Sequence, residues 1–340
     1  MIRRSRLQQQ SDVDPAAVPG EEAHSGAAPR WVDVLFIVQL IYVAVVATWM
    51  LAGFGGPTIT HYVALVSDEP AALVALIIAA ATARHSTPGA LRTAWILLAV
   101  ALGLYFIGIT IGVSSWLRDL DPFPGPADIF YCAYYPTLAA AALALLRAYA
   151  LRVAWVQLTL DATIFVVGFA AFFWFLVLRP VSMSVQVDLL KQALSLTYLG
   201  LDCVLVLMLG VLLITGAGLA GGRRVPSLLL AGFATSFLAD ILWSLAKVRG
   251  YYLPGGFYDV LYMMCYVPLA AAGRSQMQAM RAPARAPSPR SDAFARALPY
   301  AAMLAAFLML VYLARGDIGG PATAMAMIVF ALTLLFMVRQ

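Results

Sequence analysis

Apolar stretches of about 18 to 25 residues recur along the chain from Val32 onwards, and a helix of that length crosses a hydrocarbon core about 30 Å thick. Runs such as LVALIIAAATA lack the alternation of a barrel strand, and an open sheet would leave backbone groups unpaired in lipid. We therefore predict about ten transmembrane helices. They lie near residues 33–54, 66–83, 93–116, 127–147, 154–178, 190–216, 226–246, 257–273, 295–314 and 322–340.

The composition adds a fold class to this pattern. Hydrophobic residues make up 63% of the 340 positions, charged residues make up 11%, and the mean hydropathy is +0.87. A water-soluble protein cannot hide so much apolar surface, which excludes a soluble nucleotide-binding enzyme, a nucleic-acid-binding domain and a disordered chain. The chain is therefore predicted to be an all-α integral membrane protein whose first partner is the lipid bilayer.

Arginine residues predict the orientation of the helices. The formal net charge is +5, and in membrane proteins an excess of basic residues marks the cytoplasmic loops. The intervening connections HYVALVSDEP, LRDLDPFPGPAD and ARGDIGG are acidic or weakly charged, with Lys247 and Arg249 as exceptions on the outer side. We therefore expect both termini in the cytoplasm. The arginines of the alternate connections are Arg84, Arg92, Arg147, Arg152, Arg223, Arg224, Arg274, Arg281, Arg285, Arg290 and Arg296.

An internal repeat relates PGPADIFYCAYYPTLAAA, which begins at Pro124, to PGGFYDVLYMMCYVPLAAA, which begins at Pro254. At an offset of 131 residues, aspartate, tyrosine, leucine and alanine positions of the two segments coincide. Each half then holds four helices, and an even number returns the chain to its starting side, so the halves would be related by an axis along the membrane normal. This favours a 4+4 parallel repeat over the inverted plan of many transporters.

These observations divide the chain into five parts. We predict a disordered cytoplasmic tail, two four-helix membrane repeats, a basic cytoplasmic linker and a C-terminal pair of transmembrane helices. Their ranges are 1–30, 31–147, 148–273, 274–293 and 294–340.

Each repeat carries an aspartate and two tyrosines at the start of its last helix. The spacing i, i+3, i+7 places the three side chains on one helix face, so the stripes Asp128, Tyr131, Tyr135 and Asp259, Tyr262, Tyr266 are candidate ligand-binding residues. The alternative is structural, because an aspartate in a first helical turn caps free N–H groups and tyrosines gather at membrane interfaces. Pro136 and Pro268 interrupt these helices and are predicted to kink them.

Three further aspartates, Asp161, Asp202 and Asp240, lie deep within apolar runs. An acidic group at the centre of a membrane helix costs roughly 2.5 to 3.5 kcal/mol on insertion-based scales, so each is expected to face the protein interior. Such residues are functional candidates, with a purely structural role as the alternative. We expect them to be protonated carboxyls bonded to Ser, Thr or Tyr on neighbouring helices.

The sequence predicts no cofactor, metal or catalytic site. Cys132, Cys203 and Cys265 sit in apolar runs without metal-type spacing, and His24, His61 and His85 lie in the tail and loops. No Walker A, GxSxG or HExxH motif is present. An intramembrane enzyme is therefore the least favoured class.

The stretches PGPADIFYCAYYP, LADILWSL and PGGFYDVLYMMCYVPLAAA, with the final LTLLFMVRQ, resemble the multi-pass membrane sensor regions that precede GGDEF diguanylate cyclase domains, often with EAL phosphodiesterase domains, in bacterial cyclic-di-GMP signalling. The likeness covers about residues 31–340. It implies a sensory module of the bacterial inner membrane, with the six stripe residues at the positions of the recurrent motif. No GGDEF or EAL sequence is present, so no catalytic residue carries over to this chain.

Two functions follow as expectations. The first is a sensor without enzymatic activity, which detects a small molecule from the periplasm or the bilayer and signals to a cytoplasmic domain or partner protein. The alternative is a small-solute transporter or channel whose path is lined by the intramembrane aspartates. Helices rich in small residues suit packing within one chain or across a homodimer, and the sequence leaves both open.

Overall fold

A computed structural model describes residues 29–118, 120, 124–149, 224–248 and 255–281, together with positions 167, 197–198, 201–202, 205, 210, 326, 328–330 and 332–333. Asp161, Cys203 and His24, the tail up to residue 28, and most of the predicted spans 154–178, 190–216, 295–314 and 322–340 lie outside the described residues.

The described elements are helical. We name them α1 to α8 in chain order: Arg30–Ala52, Gly56–Val66, Asp68–His85, Ala90–Trp116, Pro126–Tyr149, Arg224–Val248, Phe257–Met264 and Tyr266–Arg281.

Among the described residues, five helical segments are long and apolar enough to cross a membrane, which supports the predicted class of membrane protein. Together, α2 and α3 form one of these segments, because Ser67 joins them without a loop. The five segments are Arg30–Ala52, Gly56–His85, Ala90–Trp116, Pro126–Ala148 and Arg224–Trp243.

The junction of α2 and α3 corrects one prediction. We expected residues 61–70 to form an outer loop, but they are helical on both sides of Ser67. The Ser67 hydroxyl donates to the carbonyl of Ala64, and the Tyr42 hydroxyl of α1 donates to the carbonyl of Ser67. These bonds satisfy backbone and side-chain groups at the junction, so the polar SDEP stretch enters the helical bundle as the first turn of α3.

Short turns bring consecutive helices side by side. α1 ends at Gly53, which adopts a left-handed conformation with φ of 65°, and its amide donates to the carbonyl of Met50. Gly55 and Gly56 also have positive φ, so the GFGG turn uses the conformational freedom of glycine to reverse the chain. α3 and α4 are joined by residues 86–89. These connections make α1, the α2–α3 segment and α4 antiparallel neighbours.

The core lies where helices α1 to α5 meet α6, α7 and α8. α4 packs along α5 and α3, while α8 packs between α3 and α6. A Cβ atom on Gly273 of α8 would lie 2.8 Å from Ile78 and 2.9 Å from Thr82 of α3, so the absence of a side chain permits this close contact. Trp95 of α4 completes the contact and is 1% exposed.

α1 presents an apolar surface to its surroundings. Five large apolar side chains of α1 are each more than half exposed: Val34, Ile37, Ile41, Val45 and Leu51. The one acidic residue of α1 lies in its first turn. A helix that is apolar around its whole circumference needs lipid or protein on every side. This surface therefore fits contact with the hydrocarbon core of a bilayer.

Besides the bond from Tyr42 to Ser67, polar contacts at Gln39 and Asp33 hold α1 to the other described helices. Gln39 is 1% exposed, and its side-chain amide donates to the carbonyl of Ala71 in α3 over 2.9 Å. Near the start of α1, Asp33 accepts a hydrogen bond from the guanidinium of Arg274 in α8. The same guanidinium lies 5.4 Å from the ring centre of Phe36, a cation–π distance. The beginning of α1 is thereby tied to α8.

Candidate functional site

The predicted stripe aspartates sit at the starts of α5 and α7, where each accepts a hydrogen bond from a backbone amide. A carboxylate oxygen of Asp128 accepts a 2.6 Å hydrogen bond from the amide of Gly125, and one of Asp259 accepts a 2.6 Å bond from the amide of Gly255. These are the reciprocal contacts of a helix N-terminus, in which a side chain satisfies an amide that has no partner within the helix. The structural alternative for both residues therefore has a direct geometric basis.

Asp128 has a second partner that the stripe did not include. The hydroxyl of Tyr198 donates to its other carboxylate oxygen over 2.7 Å. The ring of Tyr198 stacks on that of Tyr135, with centres 5.8 Å apart and an angle of 21° between the planes. Asp128 therefore caps α5 and also bonds to Tyr198, whose ring stacks on Tyr135, the second stripe tyrosine of the same helix.

Asp202 and Asp240, predicted separately as intramembrane residues, are brought together. Their carboxyl groups are close enough to interact, and Tyr135 is also close enough to interact with the carboxyl of Asp202. Asp240 accepts a 2.6 Å hydrogen bond from the hydroxyl of Tyr262 in α7. The remaining oxygen of Asp202, Oδ2, is buried and has no hydrogen-bond partner among the described residues.

The contacts form one continuous chain, which we call the carboxyl–tyrosine network. It begins at the cap of α5, passes between the two predicted repeats at the contacts of Asp128 and Tyr135 with Tyr198 and Asp202, and ends on α7. It therefore joins one stripe tyrosine from each repeat through the pair of intramembrane aspartates. In order, its members are Asp128, Tyr198, Tyr135, Asp202, Asp240 and Tyr262.

Further aromatic rings pack beside this network. Tyr105 of α4 lies 5.3 Å from Tyr131 and 5.0 Å from Tyr134, measured between ring centres. Tyr134 in turn lies 5.0 Å from Tyr135. Such tilted and edge-to-face arrangements add roughly 0.5 to 1.5 kcal/mol per pair beyond area burial. Tyr105 and Tyr134 were absent from the sequence-based candidates, although Tyr134 adjoins the stripe.

Tyr131 and Tyr262 occupy matched sequence positions but have different partners. The ring of Tyr131 packs on α4 at Gly108, where an added Cβ would lie 2.6 Å from the ring. The hydroxyl of Tyr262 instead bonds to Asp240 of α6. Tyr266, the last stripe residue, is 4% exposed and belongs to the core. The two stripes are therefore not interchangeable in their contacts.

Asp68 is the most deeply placed acidic group that the sequence analysis missed. Its Oδ1 atom is buried and bonds to no side chain or backbone group in the described part of the chain. Glu69 and Asp259 are the acidic residues close enough to interact with it electrostatically. Asp259 also has His61 of α2 in its electrostatic surroundings. The second stripe aspartate thus faces the α2–α3 junction rather than the carboxyl–tyrosine network.

The two prolines have different settings. α5 runs through Pro136 from Pro126 to Tyr149 as one helix, and Pro136 is exposed. The helix leading to Pro268 is interrupted at Cys265, three residues earlier, so α7 and α8 are separate elements. Because proline lacks an N–H and clashes with the preceding turn, the interruption falls where its ring removes a helical hydrogen bond.

One sequence signal could have found Tyr198. It lies four residues before Asp202, a spacing that places the two side chains on one helix face. Asp68 had no such signal, because its position within SDEP is typical of a loop.

The arrangement of acidic side chains offers no metal centre among the residues that the structure describes: no group of three or more His, Cys, Asp or Glu side chains there could hold an ion. Cys132 and Cys265 are free thiols, the first exposed and the second buried.

Fold and site together describe a helical protein with segments that are long and apolar enough to span a membrane and with a buried polar network. Comparison of the chain with protein-family models, with curated proteins and with solved structures found no match. Its function must therefore be argued from the site.

Proposed function

We propose that the chain is a sensory, signal-transducing module of the bacterial inner membrane, with both termini in the cytoplasm. It binds a small ligand from the periplasmic side or the bilayer and signals to a cytoplasmic output domain or partner, in a pathway related to cyclic-di-GMP. The observation that carries the proposal is the contact of Asp202 with Asp240, flanked by Tyr135 on one side and Tyr262 on the other.

A pair of buried carboxyl groups suits a switch. A hydrogen bond between two carboxyl groups contains one proton, because a carboxylate has no donor and two carboxylates would repel. Binding of a cationic or hydrogen-bonding ligand, or of a proton, changes this bond. It also supplies a partner to Oδ2 of Asp202, which has none among the described residues. A ligand that interacts differently with the two states shifts their populations.

The helix after Tyr262 offers a route for the signal. Tyr262 lies on α7, which is separated from α8 by the interruption at Cys265. α8 continues to Arg281 and carries Arg274, which bonds to Asp33 at the start of α1. A shift of α7 would therefore change the position of α8 relative to α1 at the end of the bundle that the arginines predict to be cytoplasmic.

The proposed architecture is ten transmembrane helices arranged as a 4+4 parallel repeat with a C-terminal helical pair. The matching caps of Asp128 and Asp259 support this arrangement. So does the position of the carboxyl pair, which links a residue of the predicted sixth helix to one of the seventh and joins a stripe tyrosine from each half.

A second candidate is a proton-coupled transporter or channel for a small solute. The same carboxyl pair favours it, because proton relays in membrane proteins use chains of acidic side chains. In that case Asp202 and Asp240 would carry the transported proton rather than hold a sensing contact.

Acidification of the outer solution separates the two candidates, since a proton acts directly on a carboxyl pair. The full chain, with its native cysteines replaced by alanine, is placed in proteoliposomes with spin labels at Val34→Cys and Ala279→Cys, near the start of α1 and the end of α8. The sensor predicts a change in the distance between labels that Asp240→Asn abolishes, without proton entry. The transporter predicts proton entry that the same substitution abolishes.

Asp259→Asn is the matched control, because it removes an acidic side chain that lies near the α2–α3 junction, outside the carboxyl–tyrosine network. A retained distance change in this variant supports assignment of the response to the carboxyl pair. A change that persists in Asp240→Asn, or the absence of both readouts in the parent chain, would contradict the role given to the pair.

A further inference from the structure

A groove of about 360 Å³ runs between α3 and α4 at the end where residues 86–89 join them. Its volume falls within the roughly 300 to 1,000 Å³ of small-molecule sites. The small alanine side chains of α3 leave room for the groove on one side. Aliphatic side chains of α4 form the opposite wall. The lining residues are Ala80, Ala83, Ile96, Ala99 and Val100, with Arg84 and Arg92 completing the groove.

The two arginines have no protein partner in the described part of the chain. Both are exposed, and they lie in the last turn of α3 and the first turn of α4. These turns end the span-length segments Gly56–His85 and Ala90–Trp116, so they fall at the depth of lipid headgroups. A guanidinium presents a planar fork of donors that matches phosphate oxygens, and two forks at one groove make a site for an anionic phosphate.

The apolar walls indicate what carries the phosphate. Ile96 and Val100 are 45% and 49% exposed, and they lie on a helix that spans the bilayer by length and composition. Their exposed surfaces therefore face hydrocarbon chains in a membrane. A soluble anion would use the arginines and leave these walls uncovered, whereas a phospholipid covers both.

We propose that this groove binds one anionic glycerophospholipid of the adjoining leaflet. Its phosphate lies between Arg84 and Arg92, and an acyl chain follows the wall formed by Ala80, Ile96 and Val100. The site is separate from the carboxyl–tyrosine network and does not depend on the proposed sensory role.

The test is native mass spectrometry of the full chain in detergent, titrated with phosphatidylglycerol and, separately, with phosphatidylcholine. We expect phosphatidylglycerol to bind more tightly and Arg84→Gln/Arg92→Gln to weaken it about 25-fold, because each basic residue beside an anionic lipid contributes roughly fivefold. Arg147→Gln is the matched control. It removes an exposed arginine from the end of α5, outside the groove, and is expected to leave binding unchanged.

A second variant tests the apolar half of the site. Ala80→Leu fills the groove and keeps both arginines, and it is expected to weaken binding of the lipid. Equal binding of both lipids, an equal loss in Arg147→Gln, or unchanged binding in Ala80→Leu would overturn the proposal. Full displacement of the lipid by millimolar inorganic phosphate would also overturn it, because the site would then recognise a free anion.

Discussion

Removal of one hydroxyl from the carboxyl–tyrosine network should cost measurable stability. Tyr262→Phe deletes the donor that bonds to Asp240 over 2.6 Å, and the rest of the ring stays. A hydrogen bond to a charged group is worth about 1.5 to 3 kcal/mol in soluble proteins, whereas side-chain bonds within membrane proteins average about 0.6 and reach about 1.7 kcal/mol. The short distance places this bond at the upper end of the membrane range.

We therefore expect Tyr262→Phe to lower the free energy of unfolding by about 1 to 2 kcal/mol, measured by titration of mixed micelles with a denaturing detergent. Tyr62→Phe is the control, because Tyr62 is 53% exposed, and it should change stability by less than about 0.5 kcal/mol. A double-mutant cycle with Asp240→Ala isolates the pair. Equal effects of the two tyrosine variants, or a coupling energy of zero in the cycle, would refute the assigned contact.

Further substitutions test the packing at Gly108, the cap formed by Asp128 and the ion pair of Asp33 with Arg274. Gly108→Ala should destabilise by about 1 to 3 kcal/mol, because its Cβ would lie 2.6 Å from a tyrosine ring, whereas Gly112→Ala, whose Cβ would lie 3.8 Å from the nearest atom, should be tolerated; thermal unfolding compares the two. Asp128→Ala should cost about 1 kcal/mol through loss of the cap, and Asp128→Asn less, in the same assay. Asp33→Asn should cost less than about 1 kcal/mol in detergent unfolding, because its pair with Arg274 is about 30% exposed on each side; a larger loss would show that solvent does not screen the pair.

Hydropathy predicted the described spans because a continuous apolar run fixes both helix type and approximate length. The predicted spans 33–54, 93–116 and 127–147 lie close to α1, α4 and α5. The second predicted span, 66–83, matches α3 but misses the ten residues before it, because the polar SDEP stretch indicated a loop at the point where α2 and α3 join in one segment, Gly56–His85. In the structure these charges are accommodated by partial burial and by hydrogen bonds at Ser67.

Contacts between helices were harder to predict than the helices themselves. Periodicity placed Asp202 and Asp240 inside the bundle one at a time, but which side chains meet depends on helix rotation and crossing, which no single-helix pattern contains. The bond from Tyr262 to Asp240 and the approach of Asp202 are of this kind. Capping, in contrast, is local. A capping role for Asp128 could be predicted as the structural alternative, because its partner Gly125 lies only three positions earlier in the sequence.

The most direct test of the central claim is infrared difference spectroscopy of the carboxylic-acid C=O stretch in the purified chain. If Asp202 and Asp240 share a proton, the parent spectrum should contain a protonated carboxyl band that both Asp202→Asn and Asp240→Asn remove or shift. Asp33→Asn, an aspartate paired with an arginine, should leave that band in place. A parent band that is unchanged in both network variants would contradict the claim that these carboxyl groups form a proton-sharing pair.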